Sequence, residues 1–300
     1  MTRGDTERSG GTEAGEIIAF QGLPGAYSDL ACRQVHPNMT SLPCQTFEEV
    51  FAAVENGTAR LAMIPIENSV AGRVADIHQL MPHARLHIVA EHFQRVNHHL
   101  LAPSGATIEG LKHVHSHVHA LSQCRQFLHS HGLIPVVHAD TAGAAEEVAA
   151  RGDAGEAAIA SELAAEIYGL ESLAANIEDA AHNTTRFVVL SRDMEDPGAE
   201  AKPVMTAFLF RVRNIPAALY KALGGFATNG VNMSKLESYM VDGNFASTEF
   251  YAEIDGHPED RLVKLALEEL QFFSERVRII GIFPAHPYRK ETQGAANGAG

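Results

Sequence analysis

Residues 86–102, LHIVAEHFQRVNHHLLA, decide how the larger part of the chain is divided. They pass once through the middle of a series of strands and helices, and the chain comes back at NTTRF, residues 183–187. One passage out and one back predict two lobes joined by two crossings, with a cleft between them. The return is itself unusual. HNTTRFVVL, residues 182–190, sets an amide, two hydroxyls and a guanidinium directly before an apolar run that reads as a buried strand. It is either a polar cap on a strand end or the floor of a reaction site.

On both sides of the crossing, short apolar runs alternate with helical spacing. EIIAFQG is a strand, SDLACRQVH a helix with Ser28 as its N-cap, and TFEEVFAAVENG a helix with a Thr46–Glu49 capping box and a Gly57 stop. ARLAMIPI is a strand and SVAGRVADIHQLM a helix; the alternation resumes through IPVVHAD, TAGAAEEVAARG, EAAIAS and SLAANI. Repeated strand–helix units predict parallel strands covered by helices. Ligands on such sheets sit beyond the carboxyl ends of the strands. The polar stretches GLPGAYS, IENS, ADTAG and HNTTR fall at those places. SRDMEDPGAEAKP, residues 191–203, covers the expected linker 192–203 and is acidic with Pro and Gly. After it, VMTAFLFRVR, PAALYKALGGFATNG, VNMSKLESYMV, FASTEFYAEID around DGN, PEDRLVKLALEELQFF and RVRIIGIF follow the order βαββαβ.

The chain has 300 residues, enough for two or three units. It carries 23 basic and 37 acidic residues, a formal charge of -14, which disfavours nucleic-acid binding. Cys32, Cys44 and Cys124 lack CxxC spacing, so neither a disulfide nor a zinc framework is expected and a reducing compartment fits better. Residues 1–16 hold no apolar segment of a secretory signal, and no run is long enough to span a membrane. Both ends, 1–16 and 285–300, read as polar tails of a cytoplasmic protein.

Four candidate sites differ in weight. GLPGAYS could bring backbone to an anion, but taken alone an ordinary strand-to-helix turn is the preferred reading. In PIENSVAG, Asn68 and Ser69 either cap a helix or offer donors to a carboxylate at the helix start. In KHVHSHVHALSQC, His113, His115, His117 and His119 recur at period two. No carboxylate is interleaved, and a helix starting near Ser116 would disperse them, so local composition is preferred over a metal site. HNTTRF clusters its groups most tightly. Arg186 either clamps a carboxylate or pairs with an acidic residue, and a threonine hydroxyl serves more easily as a proton or hydrogen-bond donor than as a nucleophile.

Residues 17–191 resemble a prephenate dehydratase catalytic domain through GLPGAYS, IENSVAGRV, the SH and QC of SHVHALSQC, DTAGAAEEVA, AAIASELAAEIYGL, NIED and NTTRF. Residues 204–284 resemble an ACT regulatory domain through PAALYKALGGFATNGVNMSKLES. The resemblance implies a two-lobed, periplasmic-binding-protein-like α/β catalytic domain with a central cleft and a C-terminal βαββαβ ACT domain. It implies conversion of prephenate to phenylpyruvate, water and carbon dioxide, without metal or cofactor, under phenylalanine feedback. The threonine of the family's TRF motif falls on Thr185, the donor to the leaving hydroxyl; Arg186 becomes a carboxylate partner and Glu67 a support for Asn68 or a proton handler. Ser28, Asn68, Ser69, Ser116, Gln123, Thr141 and Thr184 become substrate-binding. Ala217, Ala218, Leu219, Asn232, Glu237 and Ser238 would bound the phenylalanine site between paired ACT domains of a homodimer or homotetramer. Two motifs depart from the family: SHVH replaces S-H-P-Q at Val118 and His119, and ESYM replaces E-S-R-P at Tyr239 and Met240. Arogenate dehydratase, or a non-catalytic amino-acid- or anion-binding protein, stands as the alternative.

Overall fold

A computed structural model describes residues 16–241 and 244–290. The tail expectations for residues 1–15 and 291–300 lie outside the described residues, as do Asp242 and Gly243 of the DGN turn. The first lobe holds β1 (Ile17–Gln21), α1 (Tyr27–Val35), β2 (Thr40–Cys44), α2 (Phe47–Glu55), β3 (Leu61–Asn68), β4 (Gly72–Arg73), α3 (Ala75–Leu80) and β5 (His87–Arg95). The second holds β6 (His99–Ala102), β7 (His113–His117), α4 (Val118–Gln123), α5 (Arg125–Ser130), β8 (Ile134–His138), α6 (Thr141–Arg151), β9 (Glu156–Ala160), α7 (Glu162–Tyr168) and β10 (Glu171–Ala175). β11 (Thr184–Ser191) returns to the first lobe. The C-terminal unit is β12 (Val204–Val212), α8 (Ala218–Thr228), β13 (Met233–Val241), β14 (Asn244–Asp255), α9 (Arg261–Phe273) and β15 (Ser274–Pro284), the βαββαβ order.

Two sheets result, and the crossing at 86–102 is where the chain changes from one to the other. β5 belongs to a ten-stranded sheet of order β13-β14-β12-β15-β5-β11-β3-β1-β2, with β4 on β3, and β6 to a five-stranded sheet of order β10-β6-β9-β7-β8. The two crossings touch, Val96 N–H donating to the Asn183 carbonyl at 2.9 Å. β11 lies inside the large sheet with Phe187 to Leu190 buried, as its apolar run predicts. The expectation of parallel strands needs correction. β11 runs antiparallel to both β3 and β5, and β6 antiparallel to β9 and β10. A segment that leaves one lobe and re-enters it arrives in the opposite direction, whatever helices flank it.

Local signals fared unevenly. In the α2 capping box, Thr46 Oγ1 accepts from Glu49 N–H at 3.2 Å, and the Glu49 carboxylate accepts from Gln45 N–H at 2.8 Å. Ser28 is not an N-cap; α1 starts at Tyr27, and Asp29 instead accepts from Gly25 N–H at 2.9 Å. The helix expected from Ser69 is also corrected: Asn68 Oδ1 accepts from Val70 and Ala71 N–H at 2.9 and 2.8 Å, and Gly72 at φ 85° folds the chain back into β4. Only Ala75–Leu80 is helical there. The C-terminal tail is shorter than expected. Through residue 290 the chain is packed: Tyr288 stacks on Phe93 with 4.8 Å between ring centroids, and Arg289 donates to Glu91 and Glu253.

The C-terminal unit is not a separate body. Its sheet continues the first lobe's sheet through Gly281 beside Ile88, and Met205, Leu209, Tyr251 and Phe283 share a core with Ile64, Ile66, Val188 and Leu190. The GLPGAYS loop joins the two lobes. Gly25 carbonyl accepts from Ser161 Oγ at 2.5 Å, and Pro24 carbonyl from the Tyr168 hydroxyl at 2.9 Å. Gly25 sits at φ 88°, and a Cβ there would stand 2.8 Å from Ala164 Cα. Gly25→Ala should therefore cost about 1–3 kcal/mol in denaturant unfolding. A loss below about 0.5 kcal/mol, the scale of an ordinary surface change, would refute this docking role.

Candidate active site

Successive residues of a strand face opposite sides, so β11 divides its polar residues between two environments. Thr185 faces one way, with Asn68 of β3 as its cross-strand neighbour. Thr184 and Arg186 face the other.

On the Thr185 side a chain of polar groups runs through both lobes. Asn68 Nδ2 donates to Thr185 Oγ1 at 3.0 Å and to Asn183 Oδ1 at 2.9 Å. Asn183 Nδ2 donates to Gln123 Oε1 at 2.8 Å, and His98 Nε2 meets the same oxygen at 2.9 Å. With Gln123 Oε1 accepting, His98 carries its proton on Nε2, and burial lowers its pKa so that the ring stays neutral. Its Nδ1 lies 2.9 Å from the Tyr27 hydroxyl, whose single proton is shared between that nitrogen and the Asn97 carbonyl at 2.7 Å. Burial pushes that phenol well up, so it stays protonated. Asn183 and Gln123 open onto a cavity of about 290 Å³ also lined by Val70, Ala71, Ser122 and His119. Thr185 itself is half-buried. Among the described residues its oxygen accepts from Asn68 while no acceptor takes its proton, which leaves the O–H available to an incoming group.

The opposite side holds charges. Arg186 is 3% exposed, and its guanidinium donates to Glu91 at 2.9 Å, Glu253 at 2.8 Å and Glu67 at 3.2 Å. It is therefore no carboxylate clamp; of the two readings of its charge, pairing with acidic residues is correct. Glu67 is corrected with it. Its carboxylate is held by Arg186 and by Lys235 of β13, not turned towards Asn68. Burial pushes its pKa up, but Lys235 and Arg186 together hold it below the usual carboxylate range, so it keeps no proton to give. Thr184 also leaves the cleft side: its hydroxyl lies 3.4 Å from that of Tyr288, which donates to it.

The remaining expected residues separate. Ser69 braces the crossing, donating to His182 carbonyl at 2.7 Å and accepting from Thr184 N–H at 2.9 Å. Ser116 is fully buried and donates to Ile159 carbonyl at 2.6 Å, which removes it from the substrate-facing set. Ser28 is buried in the first turn of α1 and Thr141 half-buried at the start of α6; no hydrogen bond joins either to the Thr185 chain among the described residues. Ala217, Ala218 and Leu219 line a second cavity of about 340 Å³ with Arg213 and Phe250. Within one chain Asn232, Glu237 and Ser238 are not part of its wall. Asn232 donates to Asp255 at 2.8 Å, and Glu237 pairs with Arg73 at 3.3 Å. The histidine run stays on β7 through His117, and α4 starts at Val118, so His113 and His115 do share a face; both contact Glu156 of β9. Tyr27 and His98 were missed, although Tyr27 stands within GLPGAYS and His98 within the crossing.

A family model described as prephenate dehydratase matches residues 18–195. The chain is 55% identical over 275 residues to the bifunctional N-acyl-homoserine lactone acylase/prephenate dehydratase of Komagataeibacter europaeus, covering 92% of this chain and 98% of that one. It is 39% identical over 298 residues to arogenate dehydratase/prephenate dehydratase 1, chloroplastic, of Arabidopsis thaliana, covering 95% and 76% of the two. The crystal structure of prephenate dehydratase in complex with L-Phe from Arthrobacter aurescens matches with a TM-score of 0.82 at 29% identity, over 94% of this chain and 97% of that one. The chain belongs to the prephenate dehydratase family.

Proposed function

We propose that the chain converts prephenate to phenylpyruvate, with Thr185 giving a proton to the departing hydroxyl. The observation that carries this is the Thr185 O–H itself, whose oxygen is held by Asn68 while its proton has no protein acceptor among the described residues. In the reaction the bond to the ring carboxylate breaks and releases carbon dioxide. Its electron pair enters the ring, the carbon–oxygen bond at the opposite carbon breaks, and the leaving oxygen takes a proton to become water. A donor placed at that oxygen favours the transition state over bound substrate. Asn68 stabilises the negative charge that develops on Thr185 Oγ1 as its proton moves. The two-sheet body would act as a periplasmic-binding-protein-like catalytic domain over 17–191, joined by a 192–203 linker to an ACT domain over 204–284. Phenylpyruvate formation from prephenate by the purified chain tests the proposal; binding without product would favour a non-catalytic protein.

Arogenate is the second reading, favoured by the identity to the Arabidopsis relative. Competing prephenate against arogenate in one assay separates the two. The Komagataeibacter relative is also named for an acylase, and release of homoserine lactone from an N-acyl derivative would show that activity here.

For regulation, we infer that phenylalanine binds where paired C-terminal units bring the Ala217–Leu219 cavity of one chain to the Asn232, Glu237 and Ser238 strand of the other. In support, the two groups of residues lie apart within a single chain. Glu237 reaches Arg73 of the β3–β4 hairpin, so a change at that strand bears on the hairpin that carries Asn68. Calorimetry should show phenylalanine binding to a dimer or larger assembly. Absence of any binding heat would remove the idea.

A further inference from the structure

With Arg186 committed to the buried cluster, the cleft still needs a cation for a substrate with two carboxylates. Arg125 lines the cavity that receives Asn183 and Gln123, together with Glu178 and Asp179. Both of those carboxylates already have partners. Asp179 accepts from the backbone N–H groups of Arg125 and Gln126, each at 3.1 Å, and so caps the start of α5. Its own N–H donates to Gln123 carbonyl at 2.6 Å, which ties the turn before α5 to the residue that continues the Thr185 chain. Glu178 accepts from His98 N–H at 2.9 Å and faces Arg95 at 3.9 Å. The guanidinium of Arg125 is exposed and has no hydrogen bond or ion pair among the described residues.

We propose that Arg125 is the substrate-side cation of the cleft, binding a carboxylate of prephenate and biasing the site towards prephenate over arogenate. The assignment rests on the dehydratase reading. Exposed arginines are common and most are simply solvated. This one differs in its place. It stands in the wall of the cavity whose two neutral amides lead by hydrogen bonds to Thr185, on a turn fixed by Asp179. A guanidinium offers a fork of donors that fits a carboxylate. It also opposes the ammonium that arogenate carries where prephenate has a keto group, since like charges brought together discriminate against the wrong ligand.

The test is steady-state kinetics of the full chain and of Arg125→Gln and Arg125→Lys, with prephenate and with arogenate, alongside melting temperatures. Arg125→Gln should raise KM for prephenate about tenfold or more, the scale of a lost charge-assisted hydrogen bond, with kcat and melting temperature little changed. KM for arogenate should rise less, narrowing the preference, and Arg125→Lys should recover part of the loss. An Arg125→Gln variant that matches the parent on prephenate overturns this assignment alone. A parent chain that forms no phenylpyruvate overturns the dehydratase reading, and this assignment with it.

Discussion

Thr185→Ala should lose on the order of 10²–10⁴-fold in kcat while remaining folded and keeping KM for prephenate near the parent value. Among the described residues the hydroxyl makes one hydrogen bond, accepted from Asn68 at 3.0 Å, so its removal costs stability about 1 kcal/mol or less. The loss therefore belongs to the transition state, in which the leaving oxygen needs a proton that the ground state does not. Thr185→Ser keeps the O–H and should retain much of the rate. Asn68→Ala should lower kcat as well, because it releases the Thr185 oxygen and breaks the link to Asn183. Turnover by Thr185→Ala at the parent rate, with an unchanged pH profile, would show that the hydroxyl neither donates nor orients.

Arg186→Met should be the most damaging single change to stability, at about 3–5 kcal/mol in denaturant unfolding. That is a large share of the roughly 5–15 kcal/mol that holds a typical domain together. The guanidinium stands among Glu91 and Glu253, both with fully buried side chains. Its loss leaves Arg289 as the one cation paired with them among the described residues, beside hydrogen bonds from His286 N–H to Glu91 and from the Tyr251 hydroxyl to Glu253. Burial pushes Glu253 up, yet Arg186 and then Arg289 outweigh it and hold the carboxyl at about 2, against an ordinary 4.5. A carboxyl whose folded pKa is depressed contributes stability above its unfolded pKa and loses that contribution as pH falls through the folded one. The parent should accordingly weaken between about pH 4.5 and pH 2, and adding Glu253→Gln to Arg186→Met should recover part of the loss by removing a stranded charge. Were Arg186 instead a substrate clamp, its replacement would raise KM and leave unfolding unchanged.

The contrast between these two neighbours shows what a sequence carries and what it withholds. The βαββαβ order and the central burial of β11 were legible, because apolar periodicity is a local property. The crossing at 86–102 was legible too, since its apolar runs lie close along the chain. Which face of β11 meets the cleft was not. Thr184, Thr185 and Arg186 are consecutive, and a strand sends them to alternate sides without any mark in the sequence to say which. The partners of Arg186 stand 95 and 67 residues away in Glu91 and Glu253, so its charge alone could not tell a clamp from a buried pair. Ser116 was placed at the substrate through the family resemblance, yet within β7 its hydroxyl donates to the Ile159 carbonyl of the neighbouring strand. Tyr288 and Arg289 sat in a segment polar enough to read as a tail. Their aromatic and basic character was the signal that they belong to the back of the β5–β11 face.

Where β15 meets β5, Gly281 lies so close to Ile88 that a Cβ would stand 2.5 Å from its carbonyl oxygen. This seam makes the acidic linker a misleading place to cut. A fragment ending there would bare β5 as an open sheet edge and expose the apolar surface that Met205, Leu209, Tyr251 and Phe283 now cover. It would also lose Glu253 and Arg289 from around Arg186. The C-terminal unit cannot be exchanged like a cartridge: any graft of a different unit must reproduce the glycine at the seam, the apolar underside and the two buried charges before it can seat on the first lobe.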